Sequence, residues 1–331
     1  MRALRQHQLI GPAGLQLDEL PIPTPQSGEL LIDVKAAAIN FPDVLLSHGK
    51  YQFRPTTPFI PGGELAGIVR AVGPGVTDFS VGDRVASWMI HGAFAEQVCV
   101  PAAGTVRLPT AIPFEVGAAT LVTYATTMHA LVDRAALRAG QTRLVLGAAG
   151  GVGLAAVELG KALGARVLAA ASSDDKIAVC QQHGADAGIV YSREDLRTRV
   201  KELTQGEGVD VVYDPVGGPY AEPALRSIAW EGRYLVVGFA AGEIPKIPLN
   251  LTLLKGCQIV GVFWGSFALR DPAANRAHAQ RLFHWITEGK LRPHIDRVLP
   301  LARAAEGLAR LASREVKGKV VLQIASPSSP A

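Results

Sequence analysis

Between Tyr124 and Trp264 the chain alternates short apolar, β-branched runs with helical stretches, and this rhythm restricts the fold more than any other feature. A helix is expected over TTMHALVDRAAL, followed by strand TRLVLGA, helix LAAVELGKAL, strand ARVLAAAS, helix KIAVCQQHG and strand AGIVY. Helix EDLRTRVKELT, strand GVDVVYDPVG, helix EPALRSIAW and strands GRYLVVGF and CQIVGVFW complete the series. Strands apolar throughout need cover on both faces, and strand–helix–strand repetition supplies it, so a doubly wound parallel sheet follows.

The flanking segments have a different texture. Up to about residue 120, short extended runs such as GELLIDVKAAAI, ELAGIVRAVG, VGDRVASWM and GAFAEQVCVP are broken by Gly and Pro, which describes an irregular β-rich domain. After the alternating region come two amphipathic helices, AHAQRLFHWITEG and RAAEGLARLASR, and a last strand, KGKVVLQI. Ala279, Leu282 and Ile286 fall at i, i+3 and i+7 and give the first helix an inward face. The tail ASPSSPA has nothing to bury and is expected to be disordered.

Between TRLVLGA and LAAVELGKAL lies AAGGVG, Ala148 to Gly153, which fits GxGxxG with Ala in the first place. A Gly-rich turn from a strand into a helix N-terminus is a phosphate cradle. Ala149, Gly150, Gly151, Val152 and Gly153 offer backbone N–H groups there, and the helix dipole favours an anion. Gly150 lets the backbone approach a pyrophosphate, and Gly153 lets the helix pack close to the strand. Which dinucleotide binds turns on the end of the next strand. An NAD-selective site places Asp or Glu there to accept from the ribose 2′-OH. Here the strand closes on Ala170, Ala171, Ser172 and Ser173, and the next cation is Lys176. Hydroxyls and an ammonium suit a 2′-phosphate, so NADPH is the expected cofactor, with Ser173 and Lys176 as contacts. Asp174 and Asp175 are assigned to a helix N-terminus, where acids complement the dipole; turned inward, either would favour NADH.

Composition narrows the partners. A formal charge of +4 is spread over interleaved acids and bases, without a basic run or an aromatic stacking motif, which argues against nucleic acid. Cys99, Cys180 and Cys257 lie far apart with no CxxC pair, which argues against a disulfide framework or a structural zinc. No run approaches the roughly 18 apolar residues of a membrane span, and no signal-peptide pattern opens the chain, so a cytoplasmic protein is expected.

The stretch AAAINFPDVLLSHGKYQFRPTTPFIPGGELAGIVRAVG, together with AAGGVG, DPVGG and the closing GKVVL, resembles the zinc-free quinone oxidoreductase, zeta-crystallin-like branch of the medium-chain dehydrogenase/reductases. The likeness covers nearly the whole chain, from about residue 1 to 324. It implies an α/β protein with a GroES-like β-rich catalytic domain built from residues 1–123 and 266–331 and a Rossmann domain over 124–265. A homodimer joined through CQIVGVFW is also implied. In the zinc-dependent relatives a Cys near the place of Asn40 and the His of a GHE motif hold a catalytic metal. Asn40 and Gly63 stand at those places here, so no metal site is expected.

By the same resemblance Asn40 and Tyr51 are the expected catalytic residues, lining the cleft near the nicotinamide, while Asp43 and Glu64 are expected as buried scaffold acids. Thr126 matches a cofactor contact, and Tyr191 a tyrosine near the adenosine phosphate. Phe239 and the run Phe263, Trp264, Gly265 fall at strand ends where the family holds the carboxamide, and Lys319 is a further cofactor candidate. VTYATTMHAL departs from the more usual GTAYHAL at Ala125, Thr127 and Met128.

Without a Lewis acid, a developing alkoxide has little to stabilise it, whereas hydride delivered to a quinone or enone produces delocalised charge that one or two donors can hold. Quinone reduction by NADPH is therefore expected. A reductase of activated C=C bonds, taking an alkenal, enone or enoyl thioester, would use the same step. A non-catalytic NADPH-binding or RNA-binding protein is the reading from another class.

Overall fold

Leu144, Val145, Leu146, Val167, Leu168, Ala169 and Ala170 are completely buried, as strands without a polar face must be. They belong to a six-stranded parallel sheet in the computed structural model, which describes residues 1–324. Its strands are β1 (Thr142–Leu146), β2 (Arg166–Ala171), β3 (Ala187–Val190), β4 (Val209–Asp214), β5 (Ile228–Val236) and β6 (Gln258–Gly261). Their order is β3-β2-β1-β4-β5-β6, which reverses between β1 and β4. Ligands of open α/β sheets bind beyond the strand carboxyl ends at such a switch point. Helices α1 (Gly151–Ala162), α2 (Asp174–Gln182) and α3 (Leu196–Leu203) make crossovers between strands.

This sheet lies in the unit formed by Thr123–Ser266 and Gly289–His294. The short excursion of 289–294 departs from the expected single return near residue 266. Glu158 on α1 accounts for it: its carboxylate accepts from the Arg292 backbone N–H at 3.0 Å, from the Tyr124 hydroxyl at 2.7 Å, and pairs with His183 Nδ1 at 2.5 Å.

The other unit comprises Met1–Val122, Phe267–Glu288 and the chain from Ile295. Its seven-stranded sheet is centred on Glu29–Ile39, flanked by Glu64–Val72 on one side and by Lys319–Gln323 and Gln97–Pro101 on the other. One face packs Leu30, Ile32, Val34 and Ile39 against Leu65, Val69 and Phe94. The other is paved with Ala36, Ala38, Ala66 and Ala86, small enough for Ala118, Ala279 and Phe283 to approach from helices Phe114–Ala118 and Pro272–Thr287. A two-stranded sheet, Arg2–Gln6 with Leu15–Glu19, precedes these elements and was not expected.

Several element boundaries differ from expectation. EPALRSIAW is not one helix: Ala221–Arg226 ends where Ser227 Oγ donates to Pro223 O at 2.8 Å, and Ile228, Ala229 and Trp230 open β5. β-Branched and aromatic side chains suit a pleated surface, and the hydroxyl's back-bond competes with helix continuation. The helix expected over TTMHALVDRAAL begins earlier and is largely π-helical, with Leu121–Ala125 and His129–Arg134 around α-helical Thr126–Met128. CQIVGVFW is strand only over β6, because Trp264 already starts helix Trp264–Arg270. The tail for which disorder was expected lies outside the described residues. Among the described residues no helix is long and apolar enough to cross a membrane.

Arg143 on β1 is completely buried, and its Nη2 donates to Val157 O at 3.1 Å. A Cβ on Gly160 of α1 would fall 1.8 Å from the Arg143 Cζ. Replacing glycine by alanine within a helix ordinarily stabilises by about 1 kcal/mol. Gly160→Ala should instead destabilise by about 1–3 kcal/mol, as overpacking does, and urea unfolding reads the sign directly.

Candidate cofactor and active site

Parallel strands share a direction, so the segments following β1, β2, β3, β4, β5 and β6 emerge along one edge of the sheet. After β1, Gly147 adopts φ +57° and its carbonyl accepts from Gly150 N at 3.0 Å, closing the turn. The first α1 bond runs from Leu154 N to Gly150 O at 2.8 Å, so the N–H groups of Gly151, Val152 and Gly153 have no earlier helical carbonyl to bind. A Cβ on Gly153 would sit 2.3 Å from Gly147 O and 2.8 Å from the Ala148 backbone, so only glycine allows this approach. A Cβ on Gly150 would meet only Gly147 O, at 3.4 Å, which leaves that side of the turn open to an incoming group. Ala149 in the turn is buried.

Thr127, noted in the sequence only as a departure from the usual pattern, secures the turn from behind. Completely buried, it donates to Thr123 O at 2.8 Å, lies 2.9 Å from the Tyr213 hydroxyl and 3.4 Å from Val152 O. Its neighbour Thr126 is partly buried in the same helical turn, with no hydrogen bond from its hydroxyl to a described residue.

Past β2, Ser173 is the N-cap of α2, with Asp174 and Asp175 in the first turn as expected. The Ser173 hydroxyl donates to the Asp175 carboxylate, Lys176 Nζ donates to Ser172 Oγ at 3.1 Å, and Ser192 Oγ donates to Ser172 O at 2.9 Å. Arg193, just beyond β3, grips Asp174 with both arms, Nη2 donating to Oδ1 at 2.6 Å and Nη1 to Oδ2. That hydrogen bonding holds the Asp174 carboxyl below its ordinary range. Two cations and several serine hydroxyls therefore gather at one strand end, a donor set that fits a 2′-phosphate. Arg193 escaped the sequence reading because it lies beyond the next helix, and only the pairing of Val190 with Ala171 brings it alongside.

Tyr191 packs on Tyr220 with ring centroids 4.3 Å apart. Phe239 follows β5 and Phe263 follows β6, both exposed, whereas Trp264 is buried at the start of its helix beside Gly265. Asp214, whose DPVGG motif carried no assigned role, ends β4. Its Oδ1 accepts from Val216 N at 2.7 Å and Gly217 N at 2.8 Å, and Oδ2 accepts from the Tyr234 hydroxyl. Burial raises its pKa against these bonds.

The second unit holds a buried polar cluster of its own. Val320 pairs with Ile39, so Lys319 arrives beside Asn40. Lys319 Nζ donates to Asn40 Oδ1 at 2.5 Å, to Ile39 O at 3.2 Å and to Glu64 Oε2 at 3.2 Å. Asn40 Nδ2 donates to Glu64 Oε2 at 3.1 Å and to Ala38 O at 3.3 Å, and Glu64 Oε1 accepts from Val122 N at 2.8 Å. All three N–H groups of Lys319, expected at the cofactor, are thus directed into this cluster: strand register, rather than a phosphate, sets its partners. Asn40 is committed at both ends of its amide.

Asp43 accepts from Asn40 N at 2.7 Å, and burial, opposed by this bond and by Lys319, pushes its carboxyl up to about 7. Tyr51 follows helix Phe41–Ser47 and is half-buried. Burial, then the Asp43 charge, raises its pKa, so the hydroxyl stays protonated, and it has no hydrogen-bond partner among the described residues. Among the described residues no group of three or more His, Cys, Asp or Glu could hold a metal ion.

Comparison with known proteins agrees with this fold. The zinc-binding dehydrogenase family model matches residues 151–280, and the alcohol dehydrogenase GroES-like domain model matches residues 26–110. The chain is 39% identical over 299 residues to the quinone oxidoreductase-like protein 2 homolog of Nematostella vectensis, spanning 89% of this chain and 82% of that protein. A mycobacterial structure complexed with NADPH matches with a TM-score of 0.92 and 33% identity, over 98% of this chain and 100% of that one. Escherichia coli quinone oxidoreductase complexed with NADPH matches with a TM-score of 0.89 and 30% identity, over 98% and 100% of the two chains.

Asp43 keeps its proton to about pH 7 when folded but only to about 3.8 when unfolded. Folding therefore takes up a proton in that window, and the stabilisation, complete below the lower value, is lost as pH rises through the upper one. Asp43→Asn removes this slope. In urea unfolding from pH 5 to pH 8, the wild type should lose on the order of 2–3 kcal/mol relative to the variant; a constant difference would show that Asp43 titrates normally.

Proposed function

Because the chain belongs to the quinone oxidoreductase branch of the medium-chain dehydrogenase/reductase superfamily, we propose that it is an NADPH-dependent, metal-independent reductase of quinones. The observation that carries this reading is the gathering of Ser172, Ser173, Lys176 and Arg193 at the ends of β2 and β3, beside a cradle with open backbone amides. NADPH, when bound, supplies the hydride.

The residues then divide the work. Gly151, Val152 and Gly153 bind the pyrophosphate through N–H groups at the positive end of α1. Ser173, Lys176 and Arg193 hold the 2′-phosphate, while Thr126, Tyr191, Phe239, Phe263, Trp264 and Gly265 bound the rest of the cofactor. Tyr51, a neutral phenol with an uncommitted hydroxyl, donates to the acceptor oxygen as negative charge develops there. Delocalisation over a quinone ring makes one such donor sufficient. Asn40, clamped by Lys319 and Glu64, fixes the start of the helix that leads to Tyr51. The Lys319 ammonium already binds Glu64 Oε2 and Asn40 Oδ1, so a cation entering this cluster would have to displace it.

The active form is a homodimer in this reading, built on β6. That strand is the sheet's edge, and Ile259, Phe263, Leu253 and Leu254 expose large apolar side chains on it or close to it. An open apolar edge is a pairing hazard unless another strand covers it. Sedimentation at micromolar concentration should give twice the chain mass, and a monomer would refute the dimer.

NADPH oxidation followed at 340 nm with 1,4-benzoquinone or 9,10-phenanthrenequinone should proceed at an unchanged rate in chelator. Tyr51→Phe should lower kcat/KM by about 100- to 1000-fold, as loss of one oxyanion donor does. Turnover with a short alkenal but with no quinone would move the activity to reduction of activated C=C bonds.

A further inference from the structure

Asp174 and Arg193 bind each other where the nucleotide's ribose would be read, yet the fold does not need them. Their side chains are 70% and 59% exposed, and the segments that carry them are already joined by the β2–β3 pairing and by Ser192 Oγ donating to Ser172 O. We propose that this ion pair is a selectivity switch: Arg193 serves as a second cation for the 2′-phosphate of NADPH, and Asp174 serves as the competing carboxylate that accepts from the ribose 2′-OH of NADH. The inference rests on the reading of this pocket as a nicotinamide dinucleotide site.

Three features support it. A guanidinium fork engages a phosphate with the same two-armed geometry it uses on a carboxylate, so Arg193 can exchange Asp174 for a 2′-phosphate without a change of bonding type. Exposed ion pairs hold weakly in water, and Asp174 in the first turn of α2 keeps the favourable end of the helix dipole when its partner leaves, so the exchange costs little. Lys176 approaches the same strand end through Ser172 and adds a second positive charge there.

The position of Asp174 gives the switch its second arm. The strand end carries no acid on Ala171, Ser172 or Ser173, and Asp175 is engaged by the Ser173 hydroxyl. Asp174 is the carboxylate held beside the guanidinium, and it is available to a ribose hydroxyl whenever no phosphate competes for Arg193. Its charge also repels a 2′-phosphate dianion, so the wild-type chain should discriminate less between the cofactors than Lys176 and Arg193 alone would allow.

The test is direct binding, by tryptophan fluorescence quenching or calorimetry at fixed ionic strength, of NADPH, NADH and 2′,5′-ADP to the full chain and to Arg193→Gln, Arg193→Lys and Asp174→Asn. Arg193→Gln should weaken NADPH and 2′,5′-ADP by about tenfold or more while NADH stays within about twofold; Arg193→Lys, which keeps the charge but not the fork, should fall between. Asp174→Asn should move the ratio the other way, tightening NADPH by about threefold or more and weakening NADH. A ratio that stays within about twofold of wild type in Arg193→Gln or Asp174→Asn, with NADPH still bound by the wild type, overturns the switch alone. A wild type that binds neither dinucleotide overturns the cofactor reading and the switch with it. Thermal unfolding of each variant close to wild type shows that the differences arise at the site.

Discussion

Gly153 is the point on which the nucleotide-binding half of this molecule turns. With Gly147 O 2.3 Å from where a Cβ would stand, α1 lies against the β1 turn as closely as backbone can approach backbone. That contact aims the helix N-terminus, and with it the open N–H groups, at the edge where the parallel strands end. Thr127 and Tyr213 brace the same turn from the buried side, so the protein's own bonds hold the cradle in shape. A preformed set of oriented amides pays no ordering entropy on binding, and this is what makes it a site as well as a turn.

The second unit is organised by a buried charge pair. Lys319, Glu64 and Asn40 meet because three strand ends are brought into register, and at 6% exposure or less each must find its partners within the protein. A buried pair contributes little net stability compared with an apolar substitute, while loss of one partner is costly. Its effect here is geometric: Asn40 is fixed, Asp43 is capped against it, and Tyr51 follows with its hydroxyl uncommitted. In the proposed reading, the chemistry of this unit is donation of one hydrogen bond to a developing anion, which suits conjugated acceptors.

The parts that the sequence made legible are those whose physics is local. AAGGVG between a strand and a helix announces its cradle, because turn, amides and dipole lie within a few consecutive residues. The acid-free end of β2 could be read for the same reason. The alternation of apolar strands and helices implied the parallel sheet, and Asp174 and Asp175 occupy the helix start assigned to them. Arg193 and Asp214 were given no role, and the partners of Lys319 were not foreseen, because these contacts come from strand pairing, which no linear pattern reports. The boundary at Ser227 was lost because a single hydroxyl back-bond decided between helix and strand in a segment whose apolar residues suit either. The return of residues 289–294 depends on one buried carboxylate, Glu158, set in an otherwise ordinary helical run.

The most direct test of the account is amide hydrogen exchange on the intact protein with and without saturating NADPH. If the open amides of the cradle and the serine- and cation-lined strand end are the site, exchange should slow across Gly150–Gly153 and across Ser172–Lys176, with little change in the two-stranded sheet of Arg2–Gln6 and Leu15–Glu19. NADPH shown to be bound while exchange at both stretches stays unchanged would contradict it.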